Sequence, residues 1–173
     1  MGCAQRVRRR QSLLGKNEGA ANVSNTADSR DHRQSRPALG GVLETALVVE
    51  DVARATRFYR ELFGFDVLAQ AERLCSLNVK PAQVLLLFQR GGSLDDMRLP
   101  GGVLPGGMDA QGRSHMAFAI EAEHPESWQH WLKQNAVAIE STVHWEREGT
   151  SLYFRDPDGN LLELATPGVW ANY

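Results

Sequence analysis

Several features are scarce in this 173-residue chain, and each scarcity excludes a class of protein. Two cysteines, Cys3 and Cys75, are too few for a disulfide scaffold and give no zinc-finger spacing. No stretch approaches the roughly 20 apolar residues that a membrane-spanning helix needs. No glycine-rich loop ends in the Gly-Lys-Ser/Thr of a phosphate cradle. We therefore expect a protein of the reducing cytoplasm that has no membrane partner.

An excess of charge of one sign is also lacking, because 19 Lys and Arg residues face 21 Asp and Glu residues, for a net charge of −2. The first forty residues hold eight basic and three acidic residues, so the remaining chain is acidic overall. Binding to a nucleic-acid backbone needs clustered Lys and Arg, because its affinity comes from the release of counterions. The sequence therefore predicts no nucleic-acid partner.

Residues 1–40 have no hydrophobic periodicity and are rich in Arg, Ser and Asn. Such a segment cannot bury enough apolar area to offset the entropy lost on ordering, so we predict a disordered basic tail. An organelle transit peptide is an alternative interpretation. The start Met1-Gly2-Cys3 matches a myristoylation signal poorly, because Arg6 stands where Ser or Thr is required.

The rest of the chain contains an internal repeat. Residues 44–50 (ETALVVE) and 115–121 (HMAFAIE) share an alternating pattern typical of a strand, and a stretch with helical spacing follows each. Three further strand-like runs follow each helix, at 65–70, 73–79 and 83–89 in the first half and at 136–141, 150–155 and 160–165 in the second. The pattern predicts two β-α-β-β-β modules, 41–90 and 113–170. A glycine-rich linker over 91–112, long enough to form a mobile flap, joins them.

Local signals mark where the two helices begin and end. Asp51 is the expected N-cap of the first helix, and Gly64 is its expected stop. Pro125 stands where the first turn of the second helix tolerates proline.

Strand alternation places three possible metal ligands on faces that do not cover a helix. His115, Glu44 and Glu163 each lie beside a small alanine on such a face, and a carboxylate there is costly to bury without a cation. Two carboxylates and one imidazole suit Mn²⁺, Fe²⁺, Ni²⁺ or Zn²⁺. Three protein ligands leave coordination positions open for a substrate. Alternation alone leaves open that these are ordinary solvated strand residues.

Further polar and aromatic residues near the ends of these strands are candidates for substrate binding. They are Arg73, His144, Trp145, Tyr153 and Arg155. Each has a structural alternative: Arg155 can pair with a neighbouring aspartate, Asp156 or Asp158, and His144 and Trp145 can belong to an ordinary surface loop. We expect Cys75 to be an unreactive core residue.

Three stretches together resemble a known family: LETALVVEDVARATRFYRELFGF (43–65), SHMAFAI (114–120) and SLYFRDPDGNLLELATPGVW (151–170). With the D-P-D-G-N-x-x-E pattern in the last, the chain resembles the vicinal oxygen chelate superfamily of glyoxalase I, fosfomycin- and bleomycin-resistance proteins and extradiol dioxygenases. The resemblance covers 41–170 and implies an α+β, glyoxalase-like fold. In that fold two βαβββ modules form a U-shaped, partly open barrel-like sheet around a metal, commonly in a homodimer.

The resemblance places the superfamily's metal-ligand positions on Glu44, His115 and Glu163, the residues that alternation selects. The fourth ligand position of glyoxalase I falls on Leu86, which cannot bind a metal. Dioxygenases carry His where this chain has Glu44, so extradiol ring cleavage fits less well.

The implied function is a small metal-dependent enzyme, an isomerase or lyase resembling glyoxalase I. Such an enzyme chelates a small oxygen-rich substrate on a divalent ion and promotes proton transfer, here with Glu44 or Glu163 as the shuttle. The alternatives are a metal-free drug-binding protein of the bleomycin-resistance kind, an extradiol-type dioxygenase, a thiol transferase that modifies an antibiotic, and a structural protein. A metal-free binder would more often replace the three polar residues with apolar ones, because buried charges without an ion are expensive.

Overall fold

The computed structural model describes residues 38–99, 101–107 and 110–173, so nearly all of the predicted basic tail lies outside the described residues. The described chain is α+β, as predicted. Its elements are β1 Glu44–Val49, α1 Val52–Phe63, β2 Asp66–Ala71, β3 Leu74–Lys80, β4 Gln83–Gln89, β5 Met97–Leu99, β6 Gly102–Leu104, β7 His115–Ala119, α2 Pro125–Gln134, β8 Ile139–His144, β9 Thr150–Arg155 and β10 Leu161–Ala165. No described helix has the length and apolar character needed to cross a membrane.

Two four-stranded sheets have the same topology. The first has the order β1-β4-β3-β2 and the second the order β7-β10-β9-β8. In each sheet the first and last strands of the module pair in parallel and the remaining neighbours are antiparallel. The repeat read from the sequence is therefore a repeat of structure.

Both ends of α1 lie where the sequence signals place them. The Asp51 carboxylate accepts a hydrogen bond of 2.9 Å from the Arg54 amide. At the other end Gly64 adopts the left-handed conformation, with φ 72°, and its amide donates to the Arg60 carbonyl. Pro125 is the first residue of α2.

An apolar core lies between the helices and the sheets of both modules. One face of α1 is buried, with Ala55 and Tyr59 fully enclosed, and Leu132 of α2 is enclosed in the same way. Cys75 belongs to this core, as expected. The Phe63 ring packs against Phe65 of its own module and Phe118 of the second, with ring centroids 5.2 and 4.9 Å away. Aromatic contacts therefore join the two modules.

The D-P-D-G-N turn of the second module also holds α1 of the first. The Asp158 carboxylate accepts hydrogen bonds from the Glu50 amide at 2.9 Å and from the Arg54 guanidinium at 2.8 Å. The Tyr59 hydroxyl donates to Asp156 at 3.0 Å. The motif that carries the family resemblance therefore has a structural role between the modules.

The structure differs from the sequence-based expectation in two segments. The predicted linker over 91–112 contains a short hairpin, β5–β6, whose three-residue strands are too short for alternation to reveal. The strand expected from 136 begins instead at Ile139, because the end of α2 continues into a left-handed turn. Ala136 has φ 56°, and the Val137 amide donates back to the Leu132 carbonyl.

Candidate functional site

The second sheet gathers several polar side chains on the face turned away from α2. In the parallel β7–β10 pair His115 lies beside Leu161 and Glu163 beside Ala117, and in the antiparallel β9–β10 pair Glu163 lies opposite Tyr153. Neighbouring residues in register share a face of the sheet. His115, Tyr153 and Glu163 are therefore on one face, which we call the open face.

His115 and Glu163 form a close pair. The His115 Nε2 atom lies 3.2 Å from Glu163 Oε2; the carboxylate is 8% exposed and the imidazole 49% exposed. His115 Nδ1 lies 3.1 Å from the Leu161 carbonyl, which can only accept, so Nδ1 carries the proton. In a neutral imidazole, Nε2 and Oε2 would then be two acceptors facing each other. This arrangement favours a cation at that point, and the donor set fits a divalent metal.

The Glu163 carboxylate is held from its other side. Ser151, which is fully buried, donates from its hydroxyl to Glu163 Oε1 at 2.5 Å. The Trp145 indole N–H donates to the Ser151 oxygen at 2.8 Å. This two-step chain fixes which carboxylate oxygen points to His115.

Tyr153 adds a weak acid beside the pair. Its ring centroid is 6.3 Å from that of His115. Burial raises the pKa of Tyr153, and the negative charge of Glu163 raises it further, while a hydrogen bond with Ser151 lowers it. The phenol therefore remains protonated at neutral pH and can donate a hydrogen bond.

Glu44 lies at the start of β1 and is exposed. It lines a cavity of about 170 Å³ together with Thr45, Val84 and the Met116–Phe118 stretch of β7. Among the described residues, no group of three or more His, Cys, Asp or Glu side chains is placed to hold a metal ion. Within one chain the structure thus brings together two of the three predicted ligands, and a ligand role for Glu44 stays a prediction.

Leu86 occupies the first-module equivalent of Glu163. In the β1–β4 pair Leu86 lies beside Ala46, just as Glu163 lies beside Ala117 in the β7–β10 pair. The first module therefore has an aliphatic side chain at the position where the second has a carboxylate.

The structure separates the predicted substrate-binding residues into two groups. Trp145 and Tyr153 lie at the pair, as described above. The Arg155 guanidinium instead contacts Glu140 at 3.1 Å, rather than either neighbouring aspartate. The His144 ring lies 3.2 Å from the Thr150 hydroxyl, on the opposite face of the sheet from Ser151. Arg73 lies in the β2–β3 turn, where its side chain passes Gly92.

Sequence reasoning missed Ser151, although a signal was present. Ser151, Tyr153 and Arg155 alternate along β9 with large apolar residues, so a small polar side chain was predictable on the face of Glu163. Its contact with Glu163 depends on the β9–β10 register, which the sequence alone does not give.

Comparisons with known proteins identify the family of the chain. The model of the Glyoxalase/Bleomycin resistance protein/Dioxygenase superfamily matches residues 41–164. A metallothiol transferase, FosB, of Staphylococcus haemolyticus is 29% identical over 127 residues, 73% of this chain and 83% of that protein. The fosfomycin resistance protein FosX of Listeria monocytogenes is 26% identical over 132 residues, 73% of this chain and 89% of that protein.

Solved structures show the same fold. Lactoylglutathione lyase from Agrobacterium tumefaciens superposes with a TM-score of 0.69 at 25% identity, covering 78% of this chain and 99% of that one. FosX from Listeria monocytogenes, crystallised with Mn(II) and sulfate, has a TM-score of 0.57 at 20% identity, covering 76% and 94%. The names of the relatives confirm the prediction that the chain is an enzyme.

Proposed function

Since the chain belongs to the Glyoxalase/Bleomycin resistance protein/Dioxygenase superfamily, we propose that it is a metal-dependent enzyme that binds a small oxygen-rich molecule and promotes proton transfer on it. The observation that carries this proposal is the His115–Glu163 pair, in which the imidazole Nε2 atom and a carboxylate oxygen lie 3.2 Å apart. The reaction is of the isomerase or lyase type, and the enzyme acts in the cytoplasm.

In this proposal His115 and Glu163 hold a divalent ion, which is Mn²⁺, Fe²⁺, Ni²⁺ or Zn²⁺, with Glu44 as the third ligand. The ion supplies Lewis acidity that stabilises negative charge on the oxygens of the substrate. The two hydrogen bonds from Trp145 to Ser151 and from Ser151 to Glu163 keep the Glu163 carboxylate oriented, so it stays a fixed ligand.

The proton-transfer role falls to Glu44 rather than to Glu163. Glu163 is buried and hydrogen-bonded, whereas Glu44 is exposed at the start of its strand and has room to move. Tyr153, which remains protonated at neutral pH, donates a hydrogen bond to a substrate oxygen and so supports the charge that develops there.

We further propose that Glu44 comes from a second copy of the chain. The His115 imidazole is 49% exposed, so the pair is open to a partner. No third His, Cys, Asp or Glu among the described residues completes the group within one chain. A homodimer would supply Glu44 from the first module of one copy to the pair of the other.

Metal analysis tests the proposal. Protein purified without chelators and dialysed against each of the four ions should retain about one ion per chain, and His115→Ala and Glu163→Gln should abolish retention. Glu126→Gln, at an exposed glutamate of α2, is the matched control and should retain the metal. Retention unchanged in both site variants would contradict the proposal. Wild-type protein that retains none of the ions but binds planar aromatic drugs would support the metal-free binding alternative instead.

A further inference from the structure

Positive charge is almost absent from the strand faces around the His115–Glu163 pair. The register places small or apolar residues beside the pair: Ala117, Ala119, Val143, Leu161 and Ala165. Among the described strand residues of this open face, Arg155 alone is cationic. An anionic substrate would therefore meet one fixed positive charge on the strands of this face, while Arg113, in the loop before β7, has its guanidinium against Gly159.

That one charge is already compensated. Arg155 Nε lies 3.1 Å from both oxygens of Glu140, and Nη2 lies 3.1 Å from one of them. Its remaining terminal nitrogen, Nη1, donates to the Gly159 carbonyl at 3.1 Å. The guanidinium is thus engaged on several sides, and its charge is neutralised before any substrate arrives.

The corresponding face of the first sheet carries no compensating charge either. Its register places Glu44 beside Val84, Ala46 beside Leu86, and Leu86 opposite Ser76. No lysine or arginine of the described strands β1 to β4 shares this face with them. A site built from both faces is therefore apolar and acidic apart from the metal.

The pair has an aromatic neighbour in place of a cation. Trp145 is 40% exposed, and its indole N–H is tethered to Ser151, which itself donates to Glu163. The tether leaves a flat apolar ring surface two hydrogen bonds away from the carboxylate. Such a surface attracts a planar apolar or aromatic group.

We propose that the substrate is an uncharged molecule with two vicinal oxygens and a planar apolar or aromatic group that lies against Trp145. A phosphonate or a carboxylate-bearing thiol adduct would lack a counter-charge on both faces. This inference rests on the proposed metal-dependent function, because the vicinal oxygens need an ion to bind.

Three hydroxamates test the inference, because they share one chelating group and differ in the group attached to it. Benzohydroxamate carries a phenyl ring, acetohydroxamate a methyl group and phosphonoacetohydroxamate a phosphonate. Binding to the Mn²⁺-loaded protein is measured by titration calorimetry near pH 7. We expect benzohydroxamate to bind about tenfold more tightly than acetohydroxamate, and phosphonoacetohydroxamate to bind no more tightly than acetohydroxamate.

Two variants make the test residue-specific. In Trp145→Ala, kept saturated with Mn²⁺, benzohydroxamate should lose its advantage, so that its affinity equals that of acetohydroxamate in the same variant within about twofold. Glu140→Gln should release Arg155 and tighten phosphonoacetohydroxamate binding roughly fivefold, with no change for the other two ligands. Glu146→Gln, at an exposed glutamate outside the strands, is the matched control and should change none of the three affinities.

The outcomes separate this inference from the proposed function. If none of Mn²⁺, Fe²⁺, Ni²⁺ and Zn²⁺ binds, the metal-dependent function fails and the inference falls with it. If another of these ions binds and Mn²⁺ does not, the three titrations are made with the protein loaded with that ion. If Mn²⁺ binds but the phosphonate is the tightest ligand, or benzohydroxamate has no advantage, the metal-dependent function stands and the inference is overturned. Persistence of the benzohydroxamate advantage in Trp145→Ala also overturns it.

Discussion

Tyr59 combines full burial with a hydrogen bond that crosses between the two modules. Its hydroxyl donates to the Asp156 carboxylate at 3.0 Å. Burial raises the pKa of Tyr59 far above its ordinary value, and the negative charge of Asp156 raises it further. The phenol is therefore a permanent donor to a buried carboxylate, which also accepts hydrogen bonds from the Asp158 amide and from the amide and side chain of Asn160.

We predict that Tyr59→Phe lowers the free energy of unfolding by about 1.5–3 kcal/mol, the usual range for a hydrogen bond to a charged group. Urea unfolding followed by circular dichroism measures the change. Tyr173→Phe is a matched control, because its hydroxyl donates to neutral carbonyls at 3.2 and 3.4 Å in a less buried position. It should cost about 1 kcal/mol or less. Equal losses in the two variants would contradict the prediction.

At the residue scale the sequence predicts which side chains share a face but not which ones touch. Alternation alone places His115 and Glu163 on faces free of helix packing, and the structure joins them. The partners Ser151 and Glu140 were not predicted. The contact between Ser151 and Glu163 depends on the β9–β10 register, and the contact between Glu140 and Arg155 depends on a β-bulge in the β8–β9 pair.

The exposed carboxylate of Asp51 caps the N-terminus of the first helix, α1. The hydrogen bond from the Arg54 amide is the largest cause that lowers the pKa of Asp51, and nearby arginine charges lower it further. A carboxyl whose pKa is lower in the folded state stabilises the fold above its unfolded pKa. That contribution is lost as the pH falls through the folded pKa.

We predict that Asp51→Asn weakens the dependence of stability on acid. The amide oxygen of asparagine still accepts the capping hydrogen bond but cannot be protonated in this range. Between about pH 6 and about pH 3 the melting temperature of the wild type should fall more than that of the variant. Thermal unfolding at several pH values measures this difference. Asp66→Asn, at an exposed strand residue, is the control, and its melting temperature should depend on pH as that of the wild type does. The prediction would be refuted if the melting temperature of Asp51→Asn fell as steeply with acid as that of the wild type.

At the element scale the sequence predicts the end of a helix correctly where a characteristic residue marks it. Asp51, Gly64 and Pro125 mark helix ends, and the structure has those ends there. It fails where the boundary depends on the backbone alone. Ala136 adopts a left-handed conformation with no glycine to signal it, and the β5–β6 hairpin is too short to show a period.

The two modules are alike in backbone and unlike in chemistry. The β1–β4 and β7–β10 pairs share one parallel geometry, yet equivalent positions hold Glu44 and Leu86 in the first module and His115 and Glu163 in the second. The repeat and this unequal distribution of ligands follow from the sequence. The way in which the faces of two modules meet cannot be predicted from the sequence, because it depends on contacts between surfaces that no local pattern encodes.

Mixing two variants that each fail to retain metal tests whether Glu44 binds the metal of its own chain or that of a partner chain. We predict that Glu44→Gln and Glu163→Gln each abolish metal retention when made alone. If each site takes Glu44 from one copy and the His115–Glu163 pair from the other, a mixed dimer holds one intact site and one that lacks both glutamates. Mixed dimers, isolated with two different affinity tags, should therefore retain about half of the wild-type metal. If Glu44 acted within its own chain, every site in the mixture would lack one glutamate, and the mixed dimer would retain no metal.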